Sequence, residues 1–211
     1  MEASHLKTVY TIGHSTHPVD VFTGLLKEHE ISAVADVRSS PYSKFNPQYN
    51  QPELKAALKA TGIQYVFLGA ELGARSDDPK CYLDGKVQFD RLAETALFRR
   101  GIERIATGAE KHRIALMCAE KDPVECHRTI LVARQLKAAG ISVTHILADG
   151  KTETHDALED RMIAMFEMNN GDLFLSADEI KEEAYRLQGD AIAYSMTDRK
   201  DDADAQDNYY A

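Results

Sequence analysis

Residues 118–128 read CAEKDPVECHR, which places two cysteines, a histidine, an arginine and three acids in eleven residues. These side chains could serve a thiol site, a metal site or an anion-binding turn. Cys126 stands at the expected start of a helix, where the helix dipole favours a thiolate. His127 and Arg128 share that first turn, and a helix start beside an arginine suits a phosphate or carboxylate. Glu120, two residues beyond an apolar run, has the chemistry of a general base or an oxygen ligand. The structural alternatives are plain. Cys118 ends an apolar strand and could pack as a small hydrophobe, and Asp122 or Glu125 could simply cap the helix.

Spacing narrows the metal and thiol readings. Cys118 and Cys126 lie eight apart with no second CxxC or HxxxH pair, a poor match to structural zinc. A catalytic Mg²⁺ or Mn²⁺ on oxygen ligands from Asp36, Glu71 or Glu120 fits better, with Asp36 and Glu120 the leading pair. A Cys-x5-Arg signature is absent, since Arg128 follows Cys118 by ten positions and Cys126 by two. No organic-cofactor motif is present.

Three other stretches could bring polar groups to the same place: Gly13-His14-Ser15-Thr16, Asp36 to Ser40 with Arg38, and GAELGAR with Glu71 and Arg75. Each follows an apolar run that reads as a strand: 7–12, 31–37 and 64–68, with 112–118 and 141–147 completing the set. Helical periodicity lies between them, from about Pro18, over QPELKAALKATG to Gly62, from about 87 to 108 with an interruption near Gly101, and over CHRTILVARQLKAAG to Gly140. Strands alternating with helices predict an α/β, Rossmann-like three-layer sandwich with a mostly parallel five-stranded sheet. In such a sheet ligands bind beyond the carboxyl ends of the strands. His14, Asp36, Arg38, Glu71, Glu120 and Cys126 are therefore expected to line one cleft. Asp36 and Arg38 share a side of their strand by alternation, so an ion pair is the competing reading.

Composition bounds the rest. The 211 residues are 44% apolar, ordinary for a globular chain with one full core. A single domain is expected over 1–195: a core at 7–150 and a helical extension at 151–195. An acidic disordered tail is expected at 196–211. The stretch 190–195, DAIAYS, reads as an added strand or extended segment. No apolar run approaches a membrane span, no signal peptide is evident, and three cysteines suggest no disulfide framework, so cytoplasm is the expected location. Residues 1–150 carry 19 Lys+Arg against 18 Asp+Glu, and 151–211 carry 6 against 16. Nothing in this charge predicts tight non-specific DNA binding.

TIGHST (11–16), DVRSSPYSKFNP (36–47), LGAELGAR (68–75), CAEKDPVECHR (118–128) and the later QGDAIAYS (188–195) resemble the signatures of the domain-of-unknown-function 488 family. The resemblance covers roughly residues 8–195. It implies a Rossmann-like α/β domain and is compatible with nuclease-type activity, without assigning a reaction.

Three functions stay open on the residues. The first is a hydrolase of a phosphate-containing small molecule or nucleic acid. Ser15, Arg38, Arg75 and Arg128 would hold the substrate. Asp36, Glu71 and Glu120 would bind a cation or activate water, and His14 or His127 would protonate the leaving oxygen. The second is a thiol enzyme or redox sensor using Cys126, with His127 or His14 as partner and Cys118 as resolving thiol. The third is a non-catalytic module that binds a small anion or a protein.

Overall fold

The structure is a computed structural model that describes residues 7–168 and 175–196. Its elements in chain order are β1 (Thr8–Gly13), α1 (Val19–Glu28), β2 (Ala33–Asp36), α2 (Gln51–Ala60), β3 (Gln64–Phe67), α3 (Gly69–Leu72), β4 (Tyr82–Leu83) and β5 (Lys86–Val87). There follow α4 (Phe89–Ala93), α5 (Ala96–Gly108), β6 (Ile114–Cys118), α6 (Arg134–Ala138), β7 (Ser142–Ile146), β8 (Thr152–Thr154), α7 (His155–Met165) and α8 (Ala177–Ile192). A π-helical turn, Arg128–Ala133, leads directly into α6.

The main sheet runs β3-β2-β6-β1-β7-β8, parallel except for β8. It has six strands where the sequence predicted five. The extra one, Thr152–Thr154, is a three-residue polar edge strand antiparallel to β7, at the start of what reads as helical extension. Alternation along the strands divides the core. Tyr10, Ile12, Ala115 and Met117 pack under Phe22 and Leu26 of α1 and Leu54 and Leu58 of α2. Val9, Ile114, Leu116 and Cys118 pack on the other face with Phe98 and Ile105 of α5 and Leu136 of α6. The chain leaves β1 across one face and leaves β6 across the other, in opposite directions along the sheet. The β1/β6 boundary is therefore the topological switch point, the crevice where open α/β sheets bind ligands.

Local chemistry sets most boundaries. Gly62 and Gly140 end α2 and α6 at φ +79° and +78°, a conformation that favours glycine. The long connection after β3 holds a hairpin the sequence reading missed. Its Asp84-Gly85 turn has φ of +50° and +79° and joins β4 to β5. The interruption expected near Gly101 falls instead at Glu94–Thr95, where the Thr95 hydroxyl accepts from the Phe98 N–H. Gly101 lies mid-helix, where a Cβ would stand 2.6 Å from Leu72 Cδ2, so close packing against α3 accounts for the glycine. Residues 190–195 divide, with α8 continuing to Ile192 and Ser195 bridging Lys86. The expected acidic tail lies outside the described residues except for Met196. Among the described residues no helix is long and apolar enough to cross a membrane.

A buried polar chain ties α7 and α8 to the sheet. The Thr11 hydroxyl contacts His145 Nδ1 at 2.8 Å, and His145 Nε2 contacts His155 Nδ1 at 3.1 Å. His155 Nε2 contacts the Tyr185 hydroxyl at 2.9 Å, which donates to Glu159 Oε1 at 2.9 Å. If each neutral imidazole donates once and accepts once, every link is satisfied. Burial holds His155 down to about 4 and His145 well below its ordinary value. Above pH 6.5 both rings are neutral whether folded or unfolded. As pH falls below 6.5 the unfolded chain takes up protons that the folded chain refuses, so stability drops until the folded values are reached. The expected loss from pH 7 to pH 5 is about 2 kcal/mol for His155, with His145 acting in the same direction. Urea unfolding across that range checks it, and His155→Gln should flatten the slope.

Candidate functional site

Three strand-end loops are stitched together at the switch point. The His14 and Ser15 backbone N–H groups donate to the Cys118 and Ala119 carbonyls, both at 2.9 Å, and Val37 N–H donates to the Met117 carbonyl at 3.1 Å. Gly13 has to lack a side chain, since a Cβ would lie 1.9 Å from the Glu120 carbonyl oxygen and 3.2 Å from Arg128 Nη2. The loop after β6 is shaped by Asp122, which accepts from Val124 N–H at 3.0 Å and opens a 3-10 turn over Pro123–Glu125. Arg161 of α7 grips the same carboxylate at 2.9 and 3.0 Å. Asp122 thus fills the capping role foreseen for it or Glu125.

The first cluster is Asp36, Arg38 and His14. Asp36 is fully buried and takes Arg38 Nε at 2.9 Å on one oxygen and Nη2 at 2.6 Å on the other. The Tyr65 hydroxyl donates to the second oxygen at 2.8 Å, and Arg38 Nη2 also donates to the Tyr49 carbonyl at 2.8 Å. Asp36 spends both oxygens on these partners, so a cation there would compete with a guanidinium. His14 Nδ1 donates to the Ser15 carbonyl at 2.8 Å, its Nε2 faces Arg38 Nη1 at 3.4 Å, and its ring stacks on Tyr49 at 4.1 Å. Burial, aided by Arg38, holds the imidazole down to about 4 against the pull of Asp36 and Glu120. At neutral pH His14 is therefore an acceptor for Arg38, not a proton donor. Ser15 carries φ +48° to place its carbonyl.

The second cluster is Cys118, Cys126, His127 and Glu120. The two sulfurs and His127 Nδ1 lie within 4.8 Å of one another, and all three residues are buried. His127 Nδ1 is 3.7 Å from Cys118 Sγ and 3.9 Å from Cys126 Sγ, while its Nε2 donates to the Val37 carbonyl at 3.0 Å. Cys126 Sγ contacts Glu120 Oε2 at 2.8 Å. Burial raises Cys118 well above the ordinary thiol range, with Cys126 adding to it. Burial also opposes a thiolate at Cys126, but Cys118, Arg128 and His127 outweigh it and draw Cys126 well below that range. Glu120 is raised, by burial of its carboxyl end and then by Cys126. The two shifts run in opposite directions across the 2.8 Å contact. Glu120 is the exposed member of the cluster.

Arg128 is fully buried. Its Nη1 donates to the Glu120 carbonyl at 2.7 Å and its Nη2 to the Lys121 carbonyl at 3.4 Å, so it clamps the loop. Glu71 and Arg75 belong elsewhere. Glu71 pairs with Arg104 of α5, and the Arg75 guanidinium lies 4.3 Å over the Tyr194 ring. Both border a cavity of about 670 Å³ that begins at Ser39 and Ser40 and includes Ser76, Asp77 and Asp78. The sequence reading left out Tyr49 and Tyr65, which position His14, Arg38 and Asp36. Strand pairing brings Tyr65 beside β2, and no spacing rule announces it. It also treated Cys118 as packing or a resolving thiol, whereas here Cys118 is an integral member of the second cluster.

A family model described as Domain of unknown function DUF488 matches residues 18–135, a span that holds both clusters apart from His14. No curated protein and no solved structure matches the chain.

Proposed function

The chain belongs to the DUF488 family, and from its strand-end geometry we propose a hydrolase that activates water beside Glu120 and acts on a phosphate-containing substrate. The observation that carries this reading is Glu120, an exposed residue whose carboxyl end is partly buried 2.8 Å from the Cys126 sulfur at the switch point of the sheet. A partly desolvated carboxylate with a raised proton affinity, backed by polarisable sulfur, suits proton exchange with a bound water. It would take a proton from water as the water oxygen bonds phosphorus. The resulting acid would return that proton to the departing oxygen as the old P–O bond breaks. Support for a phosphate-containing substrate comes from the cavity that begins at Ser39 and Ser40 and does not include Glu120, where Arg75 and the hydroxyls of Ser39, Ser40 and Ser76 suit phosphate oxygens. Asp77 and Asp78 on the same wall suit the hydroxyl and amino groups of a nucleoside.

A thiol enzyme is the second reading, favoured by the contacts among Cys118, Cys126 and His127. Against it stands access, since the two cysteines are 3% and 1% exposed and offer an electrophile little surface. The test is turnover of single- and double-stranded DNA, RNA and nucleotides, with Mg²⁺, Mn²⁺ or Zn²⁺ supplied, before and after native iodoacetamide treatment. Hydrolysis that survives alkylation is the expected result. Hydrolysis abolished by alkylation would favour the thiol reading, and no turnover of any substrate would favour a binding module.

A further inference from the structure

We propose that Cys118, Cys126 and His127 bind one Zn²⁺ ion, with the open fourth position facing Glu120. The donor atoms already have the spacing of a coordination sphere. Zinc bonds of about 2.3 Å to sulfur and 2.0–2.1 Å to nitrogen set tetrahedral S···N edges of roughly 3.6 Å. Here the edges are 3.7 and 3.9 Å. The imidazole is oriented for the role as well. Its Nε2–H is committed to the Val37 carbonyl at 3.0 Å, which leaves the Nδ1 lone pair directed at the two sulfurs. Metal-bound histidines are held by such a second hydrogen bond almost without exception. A further support is the Arg128 backbone N–H, 3.4 Å from Cys126 Sγ, a donor that suits a coordinated thiolate.

Charge balance favours the ion. Two thiolates crowded in a buried site are costly, and a dication with two thiolates and a neutral imidazole sums to zero. Taking up Zn²⁺ forms two Zn–S bonds and one Zn–N bond, and the protons that the three ligands carry beforehand pass to solvent past Glu120. Three protein ligands with one open position is the pattern of zinc sites that work on substrates, whereas structural sites close the fourth position with another residue. Soft sulfur donors select zinc over Mg²⁺ or Mn²⁺.

This site goes beyond the hydrolase reading and does not depend on it. The full chain, stripped with a chelator, would be titrated with Co²⁺ and then Zn²⁺. One Co²⁺ per chain is expected, with a thiolate-to-cobalt charge-transfer band and the intense visible bands of a tetrahedral site, all abolished by Zn²⁺. Cys126→Ser should lose the charge-transfer intensity, and Cys81→Ala, which alters the remaining cysteine, should keep it. X-ray absorption on the wild-type zinc form needs no variant and should count two sulfur neighbours. An oxygen- and nitrogen-only shell, or no stoichiometric binding by the folded wild-type chain, would overturn the proposal. Glu120→Gln separates the two ideas, because it should keep the metal bands while losing turnover. Metal binding with an inactive wild type would sink only the hydrolase reading.

Discussion

Asp36→Ala is expected to destabilise the protein by about 3–5 kcal/mol, a fall in melting temperature of roughly 6–20 °C. The reason is what the substitution leaves behind. The Arg38 side chain is 6% exposed and its partner carboxylate fully buried, with the closest contact at 2.6 Å. Removing the acid strands a guanidinium without its counter-charge and leaves the Tyr65 hydroxyl without its acceptor. The pair itself need not be a net gain over apolar residues of the same volume, but half of it is a large cost. Thermal and urea unfolding of the variant check this. A loss under about 1 kcal/mol, the scale of an exposed ion pair, would mean that solvent reaches Arg38 after all.

Glu120→Gln is expected to lower kcat/KM by roughly 10²–10⁴-fold while leaving the fold intact. Glutamine keeps the shape of the side chain and a hydrogen bond to Cys126, but cannot exchange a proton with water. Its stability effect should be small because glutamine keeps the contact to Cys126 and the Glu120 backbone carbonyl, not its side chain, holds Arg128. The two variants therefore separate along different axes. Asp36→Ala is expected to show in stability, through the position of Arg38, and Glu120→Gln in the proposed chemistry, with little effect on packing.

Much of the frame can be read from the residues. Continuous apolar runs such as Ile114–Cys118 mark strands buried on both faces, and the glycines at 62 and 140 mark helix ends. That parallel sheets gather polar residues beyond their carboxyl ends places His14, Asp36, Arg38 and Glu120 near one another. Alternation along β2 also makes the Asp36–Arg38 ion pair a legible alternative to a cation site. Other features are hidden for physical reasons. Thr152–Thr154 is too short and too polar to show a strand period, and it is held by pairing with β7. The β4–β5 hairpin does carry an Asp-Gly signal, but its two-residue strands give no alternation to accompany it. The eight-residue spacing of Cys118 and Cys126 resembles no metal motif, because a 3-10 turn folds the chain back between them and only that return brings the sulfurs together. Glu71 and Arg75 follow a strand like the others, yet β3 is the sheet edge. Their loop accordingly turns toward α5 and Tyr194 rather than toward the switch point.

The most direct test compares Glu120→Gln with Glu71→Gln on whichever substrate the wild type hydrolyses fastest. Both carboxylates follow strand ends and look alike in sequence, but only Glu120 stands at the meeting of the β1, β2 and β6 loops. The expected result is a loss of at least 100-fold in kcat/KM for Glu120→Gln and less than about tenfold for Glu71→Gln. Equal losses, or a larger loss at Glu71, would contradict a reaction centred on the end of β6 and move it to the cavity beside α3.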